Sequence, residues 1–186
     1  MSKKKKNNRY IALDFEKMDT IPVSVCSVGL AVYENGELID TFYSYICPPT
    51  KNENWYCCNT HGIHYDDVKD SPTFPEVWEK IDKIIGDSPV ICHNFGTERS
   101  CIKACNEYYG TDYQYNFICT LAMSRDYLSF LPSKGLDFVC NSLNYYMGTH
   151  HNALDDAKAC GEVFFRIKKK FNLNENDERR YTRSFE

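Results

Sequence analysis

Residues 10–19, YIALDFEKMD, begin as an apolar run and then place Asp14 and Glu16 on either side of Phe15. An apolar run of this length is typical of a buried β-strand. Because successive side chains of a strand point to opposite faces, the two acids project to the same side. Two carboxylates that share one small space repel each other unless a cation lies between them. The alternative is that the strand runs out into solvent, where acids are common.

The chain of 186 residues fits a single domain with a core large enough not to need disulfides. No apolar run approaches the roughly 20 residues that span a membrane. Four lysines and one arginine lie in residues 1–9, which we interpret as a basic flexible tail, leaving 17 basic and 26 acidic residues. Such a body does not bind polyanions by bulk charge, so contact with nucleic acid requires a local basic patch or a bound metal.

The ten cysteines are dispersed, with no C-x-x-C pair and no secretory signal ahead of them. We therefore expect reduced thiols in a cytoplasmic protein without a membrane anchor, acting as small hydrophobes in the core. A soft-metal site is an alternative, because Cys57 and Cys58 are adjacent and Cys101 lies one helical turn before Cys105.

The apolar pattern predicts an α/β fold with a mixed sheet. Strands are expected at residues 10–15, 22–33 and 37–47, with a tight hairpin turn at Asn35-Gly36 between the last two. The polar stretch 48–62 is predicted to be a long loop, and long loops in compact domains are often functional.

Downstream, helices alternate with short strands. A helix is predicted to end at Gly86, a buried strand lies in PVICHNF, and a second helix is predicted to end at Gly110. Further helices are expected near residues 120–128, 135–147 and 153–170. After Phe171 the sequence is polar, so we expect a loosely held C-terminal tail over residues 172–186 and a folded domain over residues 10–171.

A second group of candidate residues precedes the last long helix. In HHNALDDAKACGEVFF, residues 150–165, His151 and Asp156 lie five positions apart and the helix is predicted to start near residue 152. Asp156 then lies in the first turns with His151 just ahead of it, so both can face a common site. Taken singly, His151 could be a surface turn residue and Asp156 an acid that stabilises the helix N-terminus.

Three segments, ALDFE, HNFGTE and HNALDDA, occur in the order and approximate spacing of the motifs of the DEDDh (DnaQ-like) 3′→5′ exonucleases. Type members of that family are the proofreading epsilon subunit of bacterial DNA polymerase III and RNase T. The chain resembles this family over residues 10–170, and HGIHYDDVKDSPTF is similar to its segment between the first two motifs. The resemblance implies a ribonuclease H-like mixed β-sheet flanked by helices.

The resemblance also implies roles for individual residues. His151 would be the general base, and His150 and Asp155 are expected to face solvent. At position 98 the family has Asp, whereas this chain has Glu, which is one methylene longer. Two divalent ions, Mg²⁺ or Mn²⁺, would be bound by Asp14, Glu16, Glu98 and Asp156. The residues that would border the terminal base and sugar are Gly62, Ile63, His64, His93, Asn94 and Phe95.

The implied activity is metal-dependent release of nucleoside 5′-monophosphates from the 3′ end of single-stranded or frayed DNA, in proofreading or repair. A DNA polymerase would be the partner in a proofreading role, and the sequence does not specify an oligomeric state. Two alternatives stay open. One is an RNA-trimming exoribonuclease, because no residue is identifiable as a reader of the 2′-hydroxyl. The other is a nucleic-acid-binding module of the same fold, in which Glu98 marks lost catalysis.

Overall fold

The computed structural model describes residues 8–185 of the chain. The predicted basic tail therefore lies outside the described residues, except for Asn8 and Arg9. Arg9 belongs to the first strand of the sheet, and its guanidinium donates a hydrogen bond to the Ser88 hydroxyl at 2.9 Å.

Within the described residues, six strands form one mixed sheet. They are β1 (Arg9–Lys17), β2 (Val25–Glu34), β3 (Glu37–Tyr45), β4 (Val90–Cys92), β5 (Phe117–Cys119) and β6 (Thr182–Arg183). Their order in the sheet is β3-β2-β1-β4-β5-β6. The first three strands run antiparallel in succession, β4 and β5 lie parallel to β1, and β6 pairs antiparallel with β5. This topology confirms the predicted α/β fold with a mixed sheet.

The hairpin between β2 and β3 turns where the sequence predicts. Asn35 and Gly36 adopt φ angles of 54° and 88°. A tight two-residue turn needs positive φ at both positions, which Asn tolerates and Gly adopts without strain. The turn brings β3 alongside β2 at the outer edge of the sheet.

Helices cover both faces of this sheet. Those in residues 8–185 are α1 (Trp55–His61), α2 (Tyr65–Val68), α3 (Phe74–Ile85), α4 (Phe95–Tyr109), α5 (Thr120–Tyr127), α6 (Leu136–Ser142), α7 (Ala153–Phe171) and α8 (Glu175–Arg179). α3 and α4 end at the predicted glycines. α6 stops at Ser142, short of the predicted end at residue 147, because Asn144 adopts a φ of 56° that a helix does not allow. None of these helices is long and apolar enough to cross a membrane.

Helix α1 lies inside residues 48–62, so the prediction of a continuous loop there is wrong. The Asn54 side chain starts the helix by accepting hydrogen bonds from the second and third helical amides at 3.0 and 3.2 Å. Gly62, with a φ of 74°, ends it. Only Cys58 of this helix is buried. The segment therefore lacks the apolar periodicity from which a helix is predicted.

Two hydrophobic clusters cover the two faces of the sheet. Ile11 and Leu13 of β1 contact the cluster formed with α3 and α4. Tyr10 and Ala12 belong to the cluster formed with α5, α6 and α7. The two carboxylates near the end of β1 continue this second series, so they point to the face that α7 covers. Eight of the ten unpaired cysteines are buried, in agreement with their expected role as core residues.

Helix α7 packs closely on β2 because each element has a glycine at the contact. A Cβ atom on Gly29 would lie 2.2 Å from the Ala153 carbonyl oxygen, and one on Gly161 would lie 2.2 Å from the Tyr33 ring. Gly29 is the direct partner of Asp14 in the sheet. The start of α7 is therefore held over the row of the sheet that contains Asp14.

The chain after Phe171 is folded, so the expectation of a loosely held tail over residues 172–186 is wrong for the described part. Helix α8 packs there and β6 extends the sheet. The Tyr10 hydroxyl donates a hydrogen bond to Glu178 at 2.8 Å, and Lys168 pairs with the same carboxylate. The polar composition of the segment hides these few buried contacts from a sequence-based prediction.

Candidate active site

The structure brings three of the predicted acids together near the C-terminal end of β1. Asp14 and Glu16 lie near the end of β1, and Asp156 lies in the first turn of α7. One carboxylate oxygen of each lies within 4.8 Å of the other two. The close approach of α7 to β2 at Gly29 produces this geometry, because it lowers the start of the helix onto the row of Asp14. We call these three residues the acid cluster.

Glu98 approaches the acid cluster from a different element. It lies in the first turn of α4, the helix that follows β4, and only 4% of its surface is exposed. Its Oε2 atom is buried and has no hydrogen-bond partner among the described residues. Glu98 and the acid cluster line one cleft of about 260 Å³, which we call the acidic cleft. A buried, unpartnered carboxylate oxygen is costly unless a cation or a proton satisfies it.

The carboxyl groups of this cleft hold protons unusually tightly. Burial raises the pKa of Asp14 well above its usual range, and the charges of Glu98 and Glu16 raise it further. Burial raises the pKa of Glu16 to about 8, with a contribution from the charge of Asp156. Burial likewise raises the pKa of Glu98 to about 8. Without a cation, the four acids therefore cannot all be ionised near neutral pH.

The donor set suits hard divalent cations. Every ligand atom offered by the acid cluster and Glu98 is a carboxylate oxygen, the ligand that Mg²⁺ and Mn²⁺ prefer. The unpartnered oxygen of Glu98 supplies a further free ligand. A cation between these groups would lower their pKa values and offset their mutual repulsion. The residues present therefore fit the divalent metal ions that DEDDh exonucleases generally use.

Two histidines meet Asp156 at the start of α7. His151 adopts a φ of 64°, and its backbone amide donates a hydrogen bond to Asp156 Oδ2 at 3.1 Å. The Nδ1 atom of His150 lies 3.2 Å from Asp156 Oδ1, and the two imidazole rings stack with centroids 3.8 Å apart. Burial lowers the pKa of His151, and the neighbouring His150 lowers it further. His151 is therefore neutral, and able to accept a proton, at a lower pH than an ordinary histidine.

The expectation that His150 and Asp155 face solvent is confirmed for His150, which is exposed, and is wrong for Asp155. Part of the His150 ring is exposed, but the ring contacts Asp156 as described above. Asp155 is half-buried and accepts a hydrogen bond from the Thr149 amide at 3.1 Å. It also pairs with Lys158 at 3.2 Å. The position of Asp155 in the third motif suggested that it faces solvent. That position does not show that the turn before α7 folds back onto the helix.

Comparison with known proteins identifies the family. The exonuclease family model RNase_T matches residues 11–164. The chain belongs to this exonuclease family. Among curated proteins, PolC-type DNA polymerase III of Caldanaerobacter subterraneus subsp. tengcongensis is 26% identical over 163 residues, covering 87% of this chain and 12% of the relative. The chain thus spans only 12% of the length of that polymerase.

Solved structures of exonucleases share the fold. The nuclease domain of 3′hExo, a DEDDh family member solved with rAMP, superposes with a TM-score of 0.74 at 18% identity, covering 89% of this chain and 94% of that one. Exonuclease X, solved with 5′-overhanging duplex DNA, superposes with a TM-score of 0.72 at 16% identity, covering 91% and 96%. The predicted ribonuclease H-like sheet of the DEDDh exonucleases is confirmed.

Of the residues expected to border the substrate, His93 lies in the acidic cleft of this exonuclease domain with both ring nitrogens occupied. Its Nε2 lies 2.7 Å from the Lys134 carbonyl oxygen, which can only accept a hydrogen bond, so Nε2 carries the proton. Nδ1 lies 2.9 Å from the Thr120 hydroxyl, which donates to the Cys92 carbonyl oxygen at 3.1 Å, and burial lowers the pKa of the ring. The ring therefore ties the loop that contains Lys134 to the end of β4.

Asn94 and Phe95 differ in position. Asn94 is exposed and lines the acidic cleft, and its side-chain amide donates a hydrogen bond to the Thr97 hydroxyl at 3.0 Å. Phe95 is half-buried and packs on Phe117 with ring centroids 5.4 Å apart. Asn94 is therefore placed to meet a ligand, whereas the Phe95 ring contributes to the core.

Residues 62–64 do not line the acidic cleft. Gly62 ends α1, Ile63 is buried in a small apolar cluster, and His64 is exposed beside Glu53. A second cleft of about 130 Å³ adjoins the first and shares its Phe15 and Glu16. The remaining residues that line it are Lys17, Tyr56, Cys57, Thr60 and His61.

Helix α1 contributes most of the residues that line the second cleft. Because the sequence analysis did not predict this helix, it did not predict the cleft either. His61 is fixed by two hydrogen bonds. Its Nε2 lies 3.0 Å from the Lys17 carbonyl oxygen, and its Nδ1 accepts from the Ile63 amide at 3.0 Å. The HGI segment of the resemblance did point to this region, but it did not show that the helix before it faces the cleft.

Proposed function

We propose that this protein is a 3′→5′ exonuclease that hydrolyses the terminal phosphodiester bond of single-stranded or frayed DNA with two Mg²⁺ or Mn²⁺ ions. The observation that carries the proposal is the cleft in which the acid cluster and the unpartnered Glu98 oxygen meet His151. A set of carboxylates with raised pKa values beside a neutral imidazole is expected of metal-assisted hydrolysis.

Bound divalent ions would lower the pKa of the attacking water and stabilise charge on the leaving 3′-oxygen. Asp14, Glu16, Glu98 and Asp156 would hold them through carboxylate oxygens. His151 accepts the proton of the attacking water, since its lowered pKa keeps the ring neutral near pH 7. His150 contacts Asp156 from the solvent side and stacks on His151, and so restricts the orientation of both.

The geometry favours a single-stranded end over a duplex. The second cleft adjoins Glu16 and is small, about 130 Å³, and the aromatic residue Tyr56 is among those that line it. A terminal base can enter such a space and pack on the Tyr56 ring, which is how sequence-independent binding of single strands is commonly achieved. The acidic body of the protein provides little attraction for a long polyanion, so contacts limited to a few terminal nucleotides suit it.

The curated relatives suggest the setting. They are PolC-type DNA polymerases III, and this chain aligns with 12% of their length. We infer that the protein acts in the cytoplasm in proofreading or repair of DNA, with a DNA polymerase as partner. Co-purification of the tagged protein with a polymerase from its own cells, lost when the tagged chain is competed by untagged chain, tests that partner.

The activity test uses oligonucleotides of DNA and RNA, labelled at the 5′ end or at the 3′ end, with Mg²⁺, Mn²⁺ or EDTA. We expect 5′-labelled DNA to shorten one nucleotide at a time and 3′-labelled DNA to release a labelled mononucleotide at once, both only with metal. Asp14→Asn is the inactive control. Faster cleavage of RNA would identify an exoribonuclease, and binding without hydrolysis under all conditions would favour the binding module.

A further inference from the structure

A second group of metal-ligating side chains surrounds α1. Glu53 precedes the helix, Cys58 lies within it and His64 follows it. One ligand atom of each residue lies within 4.8 Å of the other two. No member of the acid cluster takes part, so the two groups are separate sites.

The three donors differ in their exposure to solvent. The Oε2 atom of Glu53 lies 3.1 Å from His64 Nδ1, and both of these side chains are partly exposed. Cys58 is 2% exposed, and its Sγ atom lies 3.4 Å from Met18 Sδ and 3.5 Å from the Met18 carbonyl oxygen. The sulfur is therefore the buried donor of the group, and the nitrogen and oxygen donors are accessible to an ion from water.

The local fold explains two of the three side chains. Glu53 pairs with His64 and accepts a hydrogen bond from the Tyr65 amide at 2.6 Å, and these contacts hold the turn after α1. Cys58 packs with Met18 in a small apolar cluster, and its thiol also lies within 4.8 Å of a Glu53 carboxylate oxygen and a His64 ring nitrogen. Burial raises the pKa of that thiol, and the charge of Glu53 raises it further. A cation bound between them would convert this repulsion into attraction.

We propose that Glu53, Cys58 and His64 form a Zn²⁺ site. Zn²⁺ accepts thiolate, imidazole and carboxylate ligands in one tetrahedral set, whereas Mg²⁺ and Mn²⁺ prefer oxygen alone. Binding transfers the Cys58 proton to solvent, and the Glu53–His64 hydrogen bond is replaced by two bonds to the metal. A water molecule would complete the ligand set, since Glu53 and His64 are exposed.

Such a site would connect the residues on both sides of α1 to its middle. The same helix presents Tyr56, Thr60 and His61 to the second cleft. Zinc would thus fix the wall of that cleft without taking part in hydrolysis. The proposal does not depend on the proposed function, because its test measures ligation and not nuclease activity.

The test is a Co²⁺ titration of the full chain after metal removal. Co²⁺ replaces Zn²⁺ in such sites, and a thiolate ligand produces charge-transfer absorption in the near ultraviolet. We expect this absorption to saturate at one equivalent of thiolate-bound Co²⁺ and to disappear on addition of Zn²⁺. Co²⁺ bound by the carboxylates of the acid cluster gives no thiolate signal, so the two sites are distinguishable.

Substitutions of single residues test which side chains bind the Co²⁺ ion. Cys58→Ser should abolish the absorption. His64→Ala should weaken Co²⁺ binding at least about tenfold, because mutation of residues that only support a metal ligand already lowers metal affinity by about that factor. Cys57→Ser is the matched control, because Cys57 is adjacent but not part of the group, and it should keep the wild-type absorption. Absence of the band in wild type, its persistence in Cys58→Ser, or its loss in Cys57→Ser would overturn the proposal.

Circular dichroism checks that each variant folds. His64 is an exposed residue, so His64→Ala keeps the test decisive even where Cys58→Ser does not fold. Wild-type affinity in folded His64→Ala would also contradict the site.

Discussion

Replacement of Glu16 by Gln should stabilise the metal-free protein near neutral pH while abolishing its hydrolytic activity. Gln keeps the shape of the side chain and removes its charge. In the folded protein, burial and the charge of Asp156 raise the pKa of Glu16 from 4.5 to about 8. The unfolded chain therefore releases this proton at a lower pH than the folded chain does.

The direction of the change in stability with pH follows from proton linkage. Between pH 4.5 and 8 the folded state binds more protons at Glu16 than the unfolded state, so the free energy of unfolding falls as pH rises. At 1.36 kcal/mol per pH unit, the cost is about 3 kcal/mol at pH 7 and below about 1 kcal/mol at pH 5. Glu16→Gln removes this cost. Mg²⁺ should remove it in wild type, because a bound cation lowers the folded-state pKa.

The assay is urea denaturation of wild type and Glu16→Gln in EDTA at pH 5 and at pH 7. The difference between the two proteins cancels the groups that do not interact with Glu16, and it reports the Glu16 charge together with its effect on the pKa of Asp14. We expect the variant to gain about 2–3 kcal/mol relative to wild type between the two pH values. Glu107→Gln, an exposed change on α4, is the control and should show no such gain.

Two outcomes would refute this reasoning. One is a variant that is less stable than wild type at pH 7 in EDTA, which would mean that the Glu16 charge is already compensated within the protein. The other is a difference between the two proteins that does not change with pH. Near wild-type hydrolysis by Glu16→Gln with Mg²⁺ would separately contradict the two-metal proposal.

Three further predictions concern the cleft and the contact that shapes it. His151→Ala should reduce turnover about 10²–10⁴-fold, and the wild-type rate should rise with pH to a plateau whose midpoint lies below 6.5, because burial lowers the pKa of His151; an equal loss in His150→Ala would show that the base is assigned to the wrong ring. Glu98→Gln should lose most activity and Glu98→Asp should keep it, measured with Mg²⁺ and with Mn²⁺; wild-type rates for Glu98→Gln would reduce the site to three carboxylates. Gly29→Ala should destabilise the protein by about 1–3 kcal/mol or more in thermal denaturation, because its Cβ would meet the Ala153 carbonyl oxygen, and an unchanged melting temperature would contradict the close contact.

The sequence predicts the framework of the fold well, because its signals there are local. Alternating side chains on β1 place Asp14 and Glu16 on one face, and Asn35-Gly36 forces the hairpin. Long helices such as α3 and α7 combine apolar periodicity with a definite end, a Gly in one and an Asn in the other. These features depend on residues that are neighbours in the chain, so no tertiary information is needed.

The missed features are those that the apolar pattern of the chain does not reveal. α1 buries only Cys58 and is defined by its caps, so apolar periodicity does not detect it. The tail after Phe171 is held by Glu178, which contacts Tyr10 at the other end of the domain and Lys168 of α7. His93 lies beside the acids as its motif indicates, but its bond to the Lys134 carbonyl oxygen depends on a loop that no local pattern places.

The central claim is that the acid cluster and Glu98 hold the divalent ions on which hydrolysis depends. The most direct measurement is anomalous diffraction from crystals of the protein grown with Mn²⁺ and a non-hydrolysable 3′-terminal dinucleotide. We predict two Mn²⁺ peaks in the cleft, coordinated by oxygens of Asp14, Glu16 and Asp156, with Glu98 Oε2 bound directly or through water. A cleft without manganese, in crystals of protein that degrades DNA with Mn²⁺ in solution, would contradict the claim.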